Sequence, residues 1–214
     1  MKTRSACRRI LFAVAILVGA VGPATASDAD WSVSLAAMSS HSTSGSGSSS
    51  SLGVGATVEY RFSRSLGVGV VAFSNQFDDE LEFDLYDFPI RLESNFRMTP
   101  VLAELLWHLT PDSRADLYIG PVAGYVVMSD LAVRADIVIY DEPQYSQWIS
   151  FPTRNSWAWG GTVGVNVRLG SGGSFLTLGA TYLEVPLDFE LAADLVESAE
   201  IDPLALHLGY GFRF

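Results

Sequence analysis

A small set of residues in this sequence could carry out acid–base or ion-pair chemistry. Glu59 precedes Arg61 by two residues, and Glu104 precedes His108 by four. A carboxylate and an imidazole can act together as general acid and base. Carboxylates and cations form ion pairs when they lie together away from water, because an unpaired charge there costs free energy. Further residues of the same kinds follow nearer the C-terminus: Arg168, His207 and Arg213.

No nucleophile motif accompanies these residues, so the sequence favours structural ion pairs over catalysis. Two other interpretations remain open: a gate whose ion pairs exchange to open a pore, and an acid–base pair. The only cysteine, Cys7, lies in an N-terminal leader, so disulfides and thiol chemistry are not expected. His41 stands alone in a serine-rich segment. We therefore expect no metal site, no cofactor and no enzymatic activity.

Residues 1–26 have the pattern of a cleaved secretory signal peptide, which leaves 27–214 as one domain. A basic head with four Lys and Arg residues precedes the apolar run "ILFAVAILVGAVG" and the small residues "ATA". A membrane-spanning helix is the alternative. The run of 13 residues is short of the roughly 20 that a spanning helix needs.

The balance of charge and hydropathy narrows the class of protein. The formal charge is −11; without the leader, nine arginines face 24 acidic residues, a charge of −15. Such a chain repels nucleic acid. Yet 49% of the residues are hydrophobic, and no stretch after the leader is long enough for a spanning helix. A closed β-barrel satisfies all its backbone hydrogen-bond donors and acceptors in lipid without such a helix. We therefore expect a transmembrane barrel.

Two-residue alternation recurs along the chain, as in "LGVGATVEYRF". Short connections at 63–65, 110–114 and 170–173 alternate with long ones at about 39–51, 75–96, 128–156 and 186–202. This alternation predicts an all-β, eight-stranded, antiparallel up-and-down barrel with short periplasmic turns and long extracellular loops. The predicted strands are about 29–38, 52–62, 66–74, 97–109, 115–127, 157–169, 174–185 and 203–214.

The more apolar face of each strand is assigned to lipid, with aromatic rings near the strand ends. A soluble sandwich would place those rings in its core. The last strand carries outward Leu206, Leu208, Tyr210, Phe212 and Phe214. This pattern resembles the C-terminal signal by which the insertion machinery recognises outer-membrane barrels.

The opposite, inward faces change character along the barrel. Near the periplasmic turns they hold a predicted charge plug: Glu59, Arg61, Glu104, His108, Arg168, His207 and Arg213. Toward the outer end they become apolar: Val71, Phe73, Leu102, Leu106, Val122, Val126 and Leu183. A hydrophobic solute that enters such a lumen needs a side exit. Pro100 and Pro121 each lack the backbone N–H that would donate a hydrogen bond to a neighbouring strand. The barrel wall could open at these prolines; the alternative is that they lie at bulges that the barrel tolerates.

The long connections are acidic. Residues 75–96 and 186–202 hold thirteen Asp and Glu residues against a single arginine, Arg91. We interpret them as a solvated rim; binding of divalent cations that bridge lipopolysaccharide phosphates is the alternative.

Three stretches resemble the OmpW family of small outer-membrane barrels. They are "TPVLAELLWHLTPDSRADLYIGPVAGYV" (99–126), "WGGTVGVNVRLGSGGSFLTLGATYLEV" (159–185) and "IDPLALHLGYGFRF" (201–214). The resemblance implies an eight-stranded barrel with a narrow, largely hydrophobic interior. It also implies uptake of small hydrophobic compounds that leave sideways into the membrane; some family members are phage or colicin receptors.

Together these features predict a monomeric protein of the Gram-negative bacterial outer membrane. The leading hypothesis for its function is a narrow channel for small hydrophobic molecules. The alternative is a non-transporting structural or adhesive barrel with a sealed lumen, whose loops bind partners or lipopolysaccharide. Expected partners are outer-membrane lipid, lipopolysaccharide, the insertion machinery and small hydrophobic solutes.

Overall fold

The computed structural model of the chain describes residues 30–42, 50–85, 88–139, 142–192 and 195–214. No helix among them is long and apolar enough to cross a membrane. The predicted signal peptide lies outside the described residues. The described strands are β1 (Asp30–Ser42), β2 (Ser50–Arg61), β3 (Leu66–Leu85), β4 (Phe88–His108), β5 (Ala115–Met128), β6 (Leu131–Ile139), β7 (Glu142–Phe151), β8 (Ser156–Arg168), β9 (Ser174–Ala192), β10 (Leu195–Ile201) and β11 (Pro203–Arg213).

Eight of these strands close into a barrel in the order β1-β2-β3-β4-β5-β8-β9-β11, with every neighbouring pair antiparallel. Strands β1 and β11 close the ring, with Val33 opposite Phe212. At its end Trp31 N donates to Phe214 O at 3.0 Å, and Phe214 N donates to Trp31 O at 2.9 Å. The predicted eight-stranded antiparallel barrel is therefore confirmed, and each predicted segment overlaps one barrel strand.

Three tight turns join barrel strands at the periplasmic end. The turn at 169–173 contains Gly170 and Gly173 with φ of 71° and 78°, a backbone region that side chains with a Cβ rarely adopt. A Cβ at Gly173 would also collide with the carbonyl oxygen of Arg213. This turn therefore requires glycine both for its conformation and for its close approach to the last strand.

The long connections predicted at 75–96, 128–156 and 186–202 lie between barrel strands, but strands occupy most of these ranges. Strands β3 and β4 continue past the barrel as one long hairpin, and β6 pairs with β4 and β7. Strand β10 pairs with the outer end of β9. A barrel already holds its strands together, so extending a ladder adds hydrogen bonds without a new loop-closure cost. In the fourth connection, residues 43–49 lie outside the described residues.

Inward and outward side chains differ sharply in exposure. In β5 buried and exposed residues alternate from Ala115 to Val126. Outward apolar side chains form an exposed belt that includes Leu35, Val54, Leu105, Val163, Leu178 and Leu208. Soluble monomers rarely expose contiguous apolar surface on this scale. The belt is therefore the lipid-facing surface of the barrel.

Exposed aromatic rings flank this belt at both ends. Phe62, Trp107, Phe212 and Phe214 lie near the periplasmic turns, and Tyr125, Trp157, Trp159 and Tyr182 lie toward the outer side. Tyr125 and Trp157 meet edge to face, with ring centroids 5.6 Å apart. The five outward residues of the predicted C-terminal signal, Leu206, Leu208, Tyr210, Phe212 and Phe214, are all exposed. Their recognition by insertion machinery remains a prediction.

Candidate functional site

The barrel interior has three levels, of which the outermost is apolar. Thirteen buried residues pack together there, and we call them the upper cluster: Met38, Val71, Phe73, Phe77, Met98, Leu102, Val122, Val126, Met128, Ala158, Leu183, Val185 and Ala205. The Phe77 ring stacks on Phe96 at 5.0 Å between centroids. Six of the seven residues predicted for an apolar upper lumen belong to this cluster, and Leu106 is buried below it. Among the described residues, these buried side chains therefore form a packed apolar level in the upper lumen.

The middle level is a polar cavity of about 50 Å³, large enough for a few water molecules. Hydroxyl and amide side chains line much of it, including Ser32, Thr57, Asn166 and Thr181. Within the described part of the chain, Glu104 has no ion pair or hydrogen bond.

His207 faces the same cavity and lies outside any ion pair among the described residues. Its Nε2 is 3.2 Å from the hydroxyl of Tyr118, which in turn lies 3.4 Å from the Thr177 hydroxyl. Two residues of the predicted charge plug, Glu104 and His207, therefore belong to the cavity instead.

The third level, at the periplasmic end, is a set of five charged residues that we call the ion-pair network: Glu59, Arg61, His108, Asp116 and Arg213. Arg61 contacts Glu59 Oε1 through Nε and Asp116 Oδ2 through Nη2, at 2.8 Å each. His108 bridges the same carboxylates: Nε2 is 2.7 Å from Glu59 Oε1, and Nδ1 is 3.0 Å from Asp116 Oδ2. Arg213 Nη2 lies 3.8 Å from Asp116 Oδ2. Each buried carboxylate therefore faces at least one arginine and one nitrogen of the His108 ring.

The position of His108 constrains its protonation. Both ring nitrogens face carboxylate oxygens, but a neutral imidazole has only one N–H to donate. Both contacts are hydrogen bonds only if the ring is an imidazolium or one carboxyl group holds the proton. Deep burial of the three side chains makes either arrangement strong, because a charge-assisted hydrogen bond gains when water is excluded.

Two glycines of β3 make room for this network. Gly67 and Gly69 lie opposite Arg61 and Glu59 on β2. A Cβ on Gly67 would come within 2.8 Å of Glu59 Oε1. Their lack of side chains lets Glu59 reach across β3 to His108 on β4.

Besides the absence of Glu104 and His207, the ion-pair network differs from the predicted charge plug in two further ways. Arg168 is oriented toward the carbonyl oxygen of Pro111 in a periplasmic turn, and no described acidic residue lies within ion-pair distance of it. Asp116 was missed, although it is completely buried and contacts two arginines and His108. Strand parity could have identified Asp116, since it lies six residues before the inward Val122 on the same strand.

Each proline singled out in the sequence lies where one strand ladder is interrupted. Between β3 and β4 the pairs pass from Ala72–Val101 to Asn75–Met98, skipping Pro100. Between β4 and β5 they pass from Glu104–Val122 to Trp107–Ile119, skipping Pro121. The two interruptions lie on different pairs of strands.

Outside the barrel at Pro121 there is an apolar groove of about 510 Å³, which we call the wall groove. Trp107 and Tyr182 flank it, and Gly120 and Gly161 form part of its floor. Thr162 lines both the wall groove and the polar cavity inside. One strand thickness therefore separates the cavity from the lipid-facing surface at this point.

On the outer side, few acidic side chains are described. Asp78 accepts hydrogen bonds from Asn95 and Gln76, and Glu93 lies 3.6 Å from Arg134. Most of the other acidic side chains of 75–96 and 186–202 lie outside the described part of the chain. The predicted rim and the cation-bridging alternative therefore remain predictions.

No family model and no curated protein matches the chain. Among solved structures it is similar to the outer membrane protein OprG from Pseudomonas aeruginosa, with 18% identity, a TM-score of 0.55 and coverage of 87% of this chain and 96% of that one. It is also similar to the outer membrane protein AlkL in DMPC lipid bilayers, at 17% identity and a TM-score of 0.53, over 91% and 94%. Neisserial surface protein A is similar too, with 14% identity, a TM-score of 0.50 and coverage of 86% of this chain and 97% of that one.

At these identities the likeness shows the fold, which is that of the small eight-stranded outer-membrane β-barrels. The resemblance noted in the sequence is thus supported at the level of that group. With its closed ladder and its exposed apolar belt, the chain is a β-barrel protein of the Gram-negative outer membrane.

Proposed function

We propose that this barrel admits small hydrophobic molecules from outside the cell and releases them sideways into the outer membrane. One observation supports this most directly: the interior changes from apolar at its outer end to fully charged at its periplasmic end. A water-filled pore would be polar throughout. The upper cluster instead excludes water and ions while offering an apolar solute a chemically suitable path.

Entry requires that the upper cluster repack. Three of its members are methionines, Met38, Met98 and Met128. Methionine is unbranched and flexible, so it adapts its shape to neighbouring groups at low cost. We expect a small apolar molecule to displace these side chains toward the outer side, where the barrel continues into the long hairpin of β3 and β4.

Passage straight to the periplasm is blocked by the ion-pair network. Separating a buried pair such as Arg61 and Glu59 leaves uncompensated charges, at a cost of about 3–5 kcal/mol. An apolar solute offers these groups no replacement hydrogen bonds. The solute must therefore leave through the wall.

The interruption of the β4–β5 ladder at Pro121 is our candidate exit. It lies beside the wall groove on the outside, and Thr162 lines the cavity just inside. Fewer ladder hydrogen bonds must break there than elsewhere along these strands. We propose that a transient separation of β4 and β5 passes the solute into lipid.

A disulfide across this pair of strands tests the route. Ala103 and Ala123 face each other on β4 and β5, and both are exposed toward lipid. Their replacement by cysteine leaves Pro121 in place and allows reversible stapling. The matched control is Ala37→Cys with Val54→Cys, an outward pair on β1 and β2.

Uptake is measured in whole cells with the fluorescent probe N-phenyl-1-naphthylamine. We expect oxidation of the β4–β5 staple to reduce probe uptake to that of cells without the protein, and a reductant to restore it. The β1–β2 staple should have no effect. Equal uptake by cells with and without the unmodified protein would refute the proposed function. If oxidation of the β4–β5 staple leaves uptake unchanged, only the proposed exit between β4 and β5 is refuted.

A sealed, adhesive barrel is the second candidate function. Two observations favour it: the upper cluster is filled, and the sheet extends well beyond the barrel on the outer side. On β7 the side chains of Trp148 and Ile149 are about half exposed. In this case Trp148→Ser with Ile149→Ser should abolish binding of cells to purified lipopolysaccharide or to host-surface protein, while probe uptake stays at the level of cells without the barrel.

A further inference from the structure

The wall groove has the position and shape of a binding site for one lipid chain. It crosses five neighbouring strands, from Trp107 on β4 through Gly120 and Gly161 on β5 and β8 to Tyr182 on β9 and Leu204 on β11. Four steps between adjacent strands, each about 4.8 Å, give it a length of about 19 Å. Because barrel strands tilt by about 45° from the membrane normal, a groove that crosses them rises by about 13 Å, close to the roughly 15 Å depth of one leaflet of the hydrocarbon core. The groove can therefore take most of one acyl chain.

Missing side chains create the groove. Gly161 and Ala180 lie on adjacent strands at outward positions and have little or no side chain, whereas Ile119, Val163 and Tyr182 beside them carry large exposed ones. Gly120 contributes only backbone to the groove. The strands approach so closely there that a Cβ would collide with the carbonyl oxygen of Leu105, so this position requires glycine. An apolar gap against the bilayer forfeits dispersion contacts unless hydrocarbon fills it.

We propose that the wall groove binds an acyl chain of a phospholipid from the periplasmic leaflet as a specific site, distinct from the loosely held lipid around the rest of the belt. Three features commit the site to this occupant. The groove is continuous with the lipid-facing belt, its lining is almost entirely apolar, and its lower end is at Trp107, one residue before β4 ends near a periplasmic turn. A Trp ring at that depth lies at the headgroup level of the periplasmic leaflet, which consists of phospholipid.

Filling the groove tests this site independently of transport. A Cβ on Gly161 would meet only the carbonyl oxygen of Gly120, at an ordinary 3.7 Å, so Gly161→Leu should fold and project into the groove. Ala180→Leu fills it from the neighbouring strand and provides a second variant. Ala56→Leu, on the lipid-facing side of β2, is the matched control.

Native mass spectrometry of the detergent-solubilised protein, titrated with palmitoyl-oleoyl phosphatidylethanolamine, counts the retained lipids. We expect the unmodified protein and Ala56→Leu to retain one phospholipid, and both filled variants to bind it about ten-fold more weakly or worse. Equal retention by all four proteins would overturn the site, and so would no retention by the unmodified protein. Preferential retention of purified lipid A would overturn the choice of phospholipid.

Discussion

His108 and Glu59 are joined across a whole strand: Nε2 of His108 on β4 lies 2.7 Å from Oε1 of Glu59 on β2, with β3 between them. The contact forms above Gly67 and Gly69, where β3 has no side chains to obstruct it. Strand ladders connect only neighbours, so this contact adds a link between strands that share no ladder. The periplasmic end of the barrel is therefore held by its interior as well as by its wall.

Removal of Glu59 should destabilise the barrel strongly. Glu59→Ala leaves Arg61 and His108 buried with one carboxylate fewer, and we expect a loss of about 3–5 kcal/mol. Urea unfolding in lipid vesicles, followed by tryptophan fluorescence, measures this loss. Asp112→Asn, an exposed change in a periplasmic turn, is the control and should change stability by no more than about 0.5 kcal/mol. A loss for Glu59→Ala as small as that of the control would show that the network contributes little.

The two arginines that approach Asp116 should contribute unequally. Arg61 lies 2.8 Å from Asp116 Oδ2 and is 4% exposed, whereas Arg213 lies 3.8 Å away and is 18% exposed. Distance and residual water both weaken the second pair. In double-mutant cycles with Asp116→Asn, we expect a coupling energy of about 2–3 kcal/mol for Arg61→Gln and about 1 kcal/mol or less for Arg213→Gln. Equal couplings would contradict this difference.

The barrel could be predicted from the sequence because lipid imposes a strict rule. Outward residues such as Leu35, Val54 and Leu208 must be apolar at every second position, and that period survives in the sequence. The outer extensions lie beyond the hydrocarbon of the membrane, so this rule does not apply to them. The sequence therefore predicts long connections there and does not show that β3, β4 and β9 continue as strands.

The ion-pair network could be predicted only in part. Parity along each strand shows that Glu59, Arg61 and His108 face inward. Which of them meet depends on the relative heights of the strands, which the sequence does not state. Glu104 lies directly opposite Gly69, yet it faces the cavity, while His108 reaches Glu59. The missed Asp116 shows the same limit, since its partners lie on three other strands.

Gly67 should be required for the contact between Glu59 and His108. A Cβ at this position would come within 2.8 Å of Glu59 Oε1, closer than such contacts occur, and the flexible carboxylate would have to move. We expect Gly67→Ala to cost about 1–3 kcal/mol, the penalty of a buried hydrogen-bonded group that loses its partner. Urea unfolding of the variant in vesicles measures the change.

Gly161→Ala is the control for Gly67→Ala, because its new methyl group meets only ordinary contacts on the lipid-facing side. Combination of Gly67→Ala with Glu59→Ala should then cost little more than Glu59→Ala alone, since the displaced carboxylate is already absent. Fully additive losses would show that Gly67 acts on some other group.

Phe214 combines two roles that variants can separate. Its backbone exchanges two hydrogen bonds with Trp31, whereas its ring is exposed to lipid at the predicted recognition signal. Phe214→Ala keeps the backbone bonds, so its stability after refolding in vesicles should stay within about 1 kcal/mol of the unmodified protein. Its insertion in cells should fall several-fold if the machinery recognises the ring. Deletion of Phe214 removes both features and should lower stability and insertion together. Heat-modifiable mobility in gels reports the folded fraction, and normal insertion of Phe214→Ala would refute the recognition role.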